Sequence, residues 1–234
     1  MTGIVIAGPA SREIFRDIFQ GSAITVEWLD EPDDAVPPSP DDAVPPSPDD
    51  ADDARAAAPD FILDLDFRPD PTRIAALGHL PAPLILVNSV STPLHILGTD
   101  ERFARINAWN TLLQRPLAEV VAHPSRTARV AACFAAWGKT HEVLPDLPGM
   151  PSARIVAMII NEAYLAWGEG VSTKESIDTA MRLGTNYPFG PFEWGEKIGL
   201  APICELLETL GQDNPLYIIA PRLREEALAH GLIA

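Results

Sequence analysis

Positive charge is scarce in this sequence. Lys and Arg number 17 against 33 Asp and Glu, for a net charge of −16. Binding a phosphate backbone needs clustered Lys and Arg, so nucleic acid is excluded as a partner. The acidity is not spread evenly. Residues 30–53 hold ten acidic side chains and no Lys or Arg, which leaves only −6 for the rest of the chain. That remainder is ordinary for a globular domain. Cysteine is equally sparse: Cys133 and Cys204 both sit among apolar neighbours and read as buried, reduced thiols. CxxC and HExxH spacings are missing and the five histidines are scattered, so no metal site is expected. A Walker loop, a nucleophile elbow and a Ser-His-Asp order are missing too. No apolar run approaches the ~18–20 residues of a membrane span. The opening MTGIVIAGPASREIF lacks a basic region followed by a long apolar core, so it does not read as a secretory signal, and a cytoplasmic location away from any membrane is the expectation.

What is present in the first half alternates between strand and helix. Residues 3–8 (GIVIAG) form a short apolar run ending in Gly, the pattern of a buried strand and a tight turn. Residues 11–19 place apolar side chains at 14, 15, 18 and 19, which is helical spacing, with Ser11 as N-cap. Residues 24–29 (ITVEWL) alternate and are β-branched or aromatic, as in a strand. Strand, helix, strand opens a nucleotide-binding α/β fold. Residues 32–47 then write PDDAVPPS twice. Dense in Pro and Asp, this segment cannot bury enough apolar surface to offset its ordering entropy, so 31–59 reads as a disordered acidic insert. Strands follow at 60–67, 83–91 and 103–110, with a helix at 71–79. A helix at 125–137 turns Val130, Cys133, Phe134 and Trp137 to one side, and 141–144 is a last strand. The 83–91 strand turns polar at its C-terminal end, where open α/β sheets bind ligands, which marks Asn88, Ser89 and Ser91. Turn formation explains the same residues equally well.

The second half reads as all helix. One helix runs from about Ser152 to Trp167, stopped by Gly168 and Gly170. Ser172 and Glu175 make a capping box for the next, which ends at Gly184. The segment 185–199 (TNYPFGPFEWGEKIG) turns a Gly- and Pro-rich corner before helices near 200–211 and 220–230, the latter ended by Gly231.

Several spaced motifs in this half resemble the 3-hydroxyacyl-CoA dehydrogenases. They are NEA at 161–163, EGV at 169–171, SIDTAMRLG at 176–184 and PFGPFEWGEKIGL at 188–200, with GKTHEVLPDLPGM at 138–150 upstream. The resemblance covers 83–230 and reaches 1–82 only in outline. It implies an α/β plus all-α chain: a truncated Rossmann-like domain over 1–147, then a helical C-terminal domain of that family's type over 148–234. It also implies a homodimer through the helical domain, an acyl-CoA-like small-molecule ligand, and NAD as cofactor.

Carried over residue by residue, the family's chemistry is only partly present. Its GxGxxG turn reads Gly8-Pro9-Ala10-Ser11-Arg12-Glu13, which keeps Gly8 alone and puts charged Glu13 where helix and strand should touch. Conventional NAD binding is therefore not expected. Asp30 stands where the ribose-binding acid would be, and residues 31–59 are too short and acidic for the arm that grips CoA. The family's catalytic His lies in an HFFNP-like motif whose counterpart is Asn107-Ala108-Trp109-Asn110-Thr111. Asn107 takes the place of that His, and an amide does not exchange protons near neutral pH. Glu119 matches the orienting Glu, Asn161 the family's Asn, and Ser91 its Ser. His95, His123 and His141 are not at the matched position and read as ordinary partly exposed residues. The expected cleft is lined by Ser91, Asn107, Asn110, Glu119 and Asn161, and Trp109 and Trp194 serve either as its walls or as core. Three readings follow: a family member without conventional dehydrogenase activity that binds a small ligand or a partner, an active oxidoreductase on the 3-hydroxyl of a short-chain 3-hydroxyacyl-CoA using NAD(P), or a regulatory partner of an active paralogue.

Overall fold

A computed structural model describes residues 1–35 and 58–229 of the chain. The chain forms two compact units. The first comprises Met1–Ser89, Leu94–Ile106 and Pro116–Pro145, and the second Val90–Pro93, Asn107–Arg115 and Asp146–Ala234.

The first unit is a seven-stranded sheet. Its strands are β1 (Thr2–Ile6), β2 (Thr25–Leu29), β3 (Phe61–Asp64), β4 (Ile85–Asn88), β5 (Phe103–Ile106), β6 (Leu117–Ala122) and β7 (Thr140–Val143), in the order β2-β1-β3-β4-β5-β6-β7. Neighbours pair in parallel except β5 with β6, which run antiparallel. Central parallel strands are covered on both faces, and accordingly every residue of β3 and β5 is buried. Helices α1 (Pro9–Phe15), α2 (Pro71–His79), α3 (Leu94–Leu97) and α4 (Thr127–Trp137) accompany the sheet. Ile6, Ile62, Leu77, Val87 and Phe103 form part of one core cluster, and Phe19, Trp137 and Phe134 stack in series at 4.5 and 5.6 Å.

Several expectations need correction here. The strands at 60–67, 83–91 and 103–110 are each shorter, because residues past 64, 88 and 106 leave the ladder. Strand β6 was not anticipated, although LAEVVA is rich in buried β-branched side chains. Helix α1 begins at Pro9 with Gly8 as N-cap, so Ser11 lies inside it and caps nothing. The acidic insert begins with order: residues 32–35 form a 3-10 turn, and Glu31 pairs with Arg73. The remainder of that expected disordered stretch, 36–57, lies outside the described residues.

The second unit is helical: α5 (Pro151–Gly168), α6 (Lys174–Thr185), α7 (Pro191–Ile198), α8 (Leu200–Gly211) and α9 (Pro221–Ala229). Helix α5 buries Ala153, Val156, Ala157, Ile160, Ala163 and Tyr164, a stripe at helical spacing. Ile203, Leu206 and Leu207 of α8 and Leu223 of α9 join the same cluster. Each such side chain contributes roughly 1.5–3 kcal/mol by leaving water. The cap of α6 is Thr173, whose side chain accepts from Ser176 N, and not Ser172; the helix ends on left-handed Asn186 rather than at Gly184. The Gly/Pro corner holds a helix of its own, α7. Gly190 caps it without a side chain, and Asp178 of α6 supplies the missing acceptor to Phe192 N and Glu193 N at 2.8 and 3.1 Å. A Cβ on Gly190 would overlap that carboxylate, which explains glycine there. Gly231, expected to stop the last helix, is outside the described residues.

Candidate functional site

In the sheet unit, the C-terminal ends of β1, β2 and β3 surround a cavity of about 750 Å³, lined among others by Gly8, Ser11, Asp30, Asp66, Arg68 and Arg73. This is where doubly wound sheets take their ligands. Gly8 N donates to Asp66 Oδ2 at 2.6 Å, and Ser11 Oγ donates to Asp66 Oδ1. Asp30 is 63% exposed at its side chain and pairs with Arg12 at 2.9 Å. Arg73 grips buried Asp64 with two hydrogen bonds of 2.7 and 2.8 Å and reaches Glu31 at 2.8 Å. Burial pushes the Asp64 carboxyl up to about 6, against the downward pull of Arg73. Glu13, expected between helix and strand, is exposed instead, because α1 starts early and turns that position outward.

Glu119 lies on β6 and is buried. The β5–β6 register sets Arg105 opposite Val121, so Glu119, two residues earlier on β6, shares a sheet face with Arg105. Arg105 is 0% exposed and donates to Ser89 O at 3.1 Å. Asn88 donates to Leu65 O at 3.1 Å. His95 is exposed, His123 caps a 3-10 turn through Ser125 N, and His141 stacks on Phe134 at 5.5 Å.

The helical unit holds the remaining candidates. Ser91 is buried and hydrogen-bonds Glu205 of α8. Burial raises that carboxyl, and the Ser91 bond opposes the rise. Asn107 is buried, and its Oδ1 accepts from Trp109 N at 3.3 Å. Asn110 donates to Lys197 O at 2.9 Å. Thr111 adopts a left-handed φ of 74°, costly for a β-branched residue, and Trp194 Nε1 donates to its Oγ1 at 2.7 Å. Trp109 and Trp194 are both core residues of this unit. Asn161 spends both ends of its amide: Nδ2 donates to Ile218 O at 3.0 Å, and Oδ1 accepts from Ala220 N at 2.8 Å.

The structure thus gathers Ser91, Asn107, Asn110 and Asn161 in the helical unit, and Gly8, Asp30 and Glu119 in the sheet unit. Sequence reasoning missed Asp66, Arg105 and Glu205. An Arg inside the apolar run FARI was the readable signal for Arg105; the other two depend on partners far along the chain. Among the described residues no group of His, Cys, Asp or Glu could hold a metal ion, and no helix is long and apolar enough to cross a membrane.

The profile of the 3-hydroxyacyl-CoA dehydrogenase C-terminal domain matches residues 149–231. Residues 149–231 thus identify the helical part as a C-terminal domain of the 3-hydroxyacyl-CoA dehydrogenase type. The 3-hydroxyadipyl-CoA dehydrogenase of Escherichia coli K12 is 48% identical over 95 residues, covering 39% of this chain and 20% of that protein. A probable 3-hydroxybutyryl-CoA dehydrogenase of Deinococcus radiodurans is 32% identical over 161 residues, covering 64% of this chain and 58% of that protein. The chain therefore spans between a fifth and three fifths of the length of these two relatives. The crystal structure of (S)-3-hydroxybutyryl-CoA dehydrogenase from Ralstonia eutropha shares the fold, with a TM-score of 0.69 at 21% identity over 98% of this chain and 93% of that one. A Rossmann-like sheet unit with a family-type helical part is thus the fold of this 3-hydroxyacyl-CoA dehydrogenase-like protein.

Proposed function

We propose that this chain is a 3-hydroxyacyl-CoA dehydrogenase-like protein without conventional NAD-dependent turnover, which acts by binding a small acyl-CoA-like ligand or a protein partner. One observation carries the reading: residue 107 is an amide. Asn107 is buried and its oxygen is engaged by Trp109 N. An amide neither takes nor gives a proton near neutral pH, and removing a general base costs ~10²–10⁴-fold in rate. Glu119, at the position matched to the orienting Glu, then has no imidazole to orient. The test is a turnover assay with NADH and acetoacetyl-CoA. We expect a rate at least ~10²-fold below that of a family member that carries the His, assayed alongside, and a rate matching that enzyme's overturns the reading.

The likeness to the 3-hydroxyadipyl-CoA dehydrogenase favours a second reading, an active oxidoreductase on the 3-hydroxyl of a 3-hydroxyacyl-CoA. Under it, Glu119→Ala abolishes a turnover that the unaltered protein displays.

We also propose that the helical part pairs with a second copy of the chain. Support comes from an apolar groove of about 600 Å³ between α5 and α6, lined by Ile155, Met158, Ile159, Ile177, Met181 and Tyr217. Ile155 at its rim is 62% exposed, which extends the apolar lining to the surface. Light scattering is expected to give twice the chain mass of 25.3 kDa.

A further inference from the structure

In doubly wound sheets, the N–H groups of the turn after the first strand receive the phosphates of a dinucleotide. Here that turn is Gly8-Pro9-Ala10-Ser11. Pro9 has no N–H to offer. The Gly8 N–H is already bonded to Asp66 Oδ2, and the Ser11 hydroxyl to the other oxygen of the same carboxylate. Sheet register brings this about. Strands β1 and β3 pair in parallel with Ile6 opposite Asp64, so two residues further along Asp66 stands level with Gly8. A Cβ on Gly8 would lie 3.4 Å from that oxygen, at ordinary van der Waals contact, so the hydrogen bond from the backbone N–H and not the missing side chain ties this residue to the carboxylate. Asp30, Glu31, Asp33 and Asp70 line the same cavity, and the Arg73 guanidinium is committed to Asp64 and Glu31. A pyrophosphate entering this turn would have to expel Asp66 and then sit among Asp30, Glu31, Asp33 and Asp70, which outnumber the cavity's Arg68 and Arg73. These residues do not fit the NAD that the family implies.

We infer that Asp66 is a built-in anion: its carboxylate takes the place a nucleotide phosphate takes in sheets of this kind, so the cavity excludes dinucleotides and the turn locks α1 to the end of β3. The inference is independent of Asn107, since it concerns binding rather than proton transfer. Calorimetric titration of the full chain with NADH tests the exclusion and is expected to give no saturable heat. Thermal melts test the lock. Asp66→Ala, which strands the Gly8 N–H, lowers Tm by roughly 2–6 °C, and the milder Ser11→Ala by less. Saturable NADH binding by the unaltered chain overturns the inference. So do melts in which both variants match the unaltered protein. NADH binding without turnover overturns it while leaving the Asn107 reading standing.

Discussion

Asn161 shows how far a single side chain can depart from the role its position suggests. Within an apolar helix it stands out as polar, and the family match assigns it to a cleft. In the structure its amide clamps the backbone at Ile218 and Ala220. Replacing it by Leu strands the buried Ala220 N–H, at about 1–3 kcal/mol, and also removes the bond to the carbonyl of exposed Ile218. Asn161→Leu is expected to lower Tm by roughly 5–10 °C, measured by calorimetry; an unchanged Tm would show that the clamp contributes nothing. The polarity of residue 161 was legible, but its partners lie 57 and 59 residues away, and no local pattern encodes that distance. The two cysteines were legible because burial is written in their apolar neighbours. Both are free and buried, and burial pushes Cys133 to about 12 and Cys204 to about 11.

At the scale of elements, periodicity served well wherever one face meets a core. The expected helix at 71–79 agrees with α2, and all four apolar positions named for 125–137 are buried on α4. The corner helix was missed because its acceptor is tertiary, Asp178 capping α7 from another helix, whereas the α6 cap was missed by one residue because Ser172 and Thr173 are both capping types. The link between β3 and α2 has a pH signature. Asp64 holds its proton to about 6 in the fold, against 3.8 for an unperturbed carboxyl. A carboxyl raised on folding binds more protons in the native state between those two values. Its contribution to stability is therefore complete below 3.8 and declines as the pH rises through about 6. The full effect is at most roughly 3 kcal/mol. Denaturant midpoints measured between pH 4 and pH 8 should fall more steeply for the unaltered protein than for Asp64→Asn; parallel profiles would remove Asp64 from the account.

For the whole molecule, the order of motifs identified the type of the helical domain, which the match over residues 149–231 bears out, while composition alone indicated only an acidic globular chain. The sheet's strand order and the antiparallel β5–β6 pair were beyond reach, since register is set by distant partners. The proposed pairing of two copies belongs to this scale. A carboxylate at the centre of an apolar contact must be desolvated, so Ile155→Glu is expected to shift the mass in light scattering from dimer towards monomer, with circular dichroism unchanged. A variant that stays dimeric would move the contact elsewhere.

The Asp178 cap also bears on the order in which the helical part assembles. Its two bonds close 14 and 15 residues of chain, whereas the Asn161 clamp closes 57 and 59. Closing the longer loop loses roughly 1.2 kcal/mol more chain entropy. The α6–α7 corner is therefore the cheaper contact to make while most of the chain is still open, and docking the segment before α9 has to wait for a partner surface already in place.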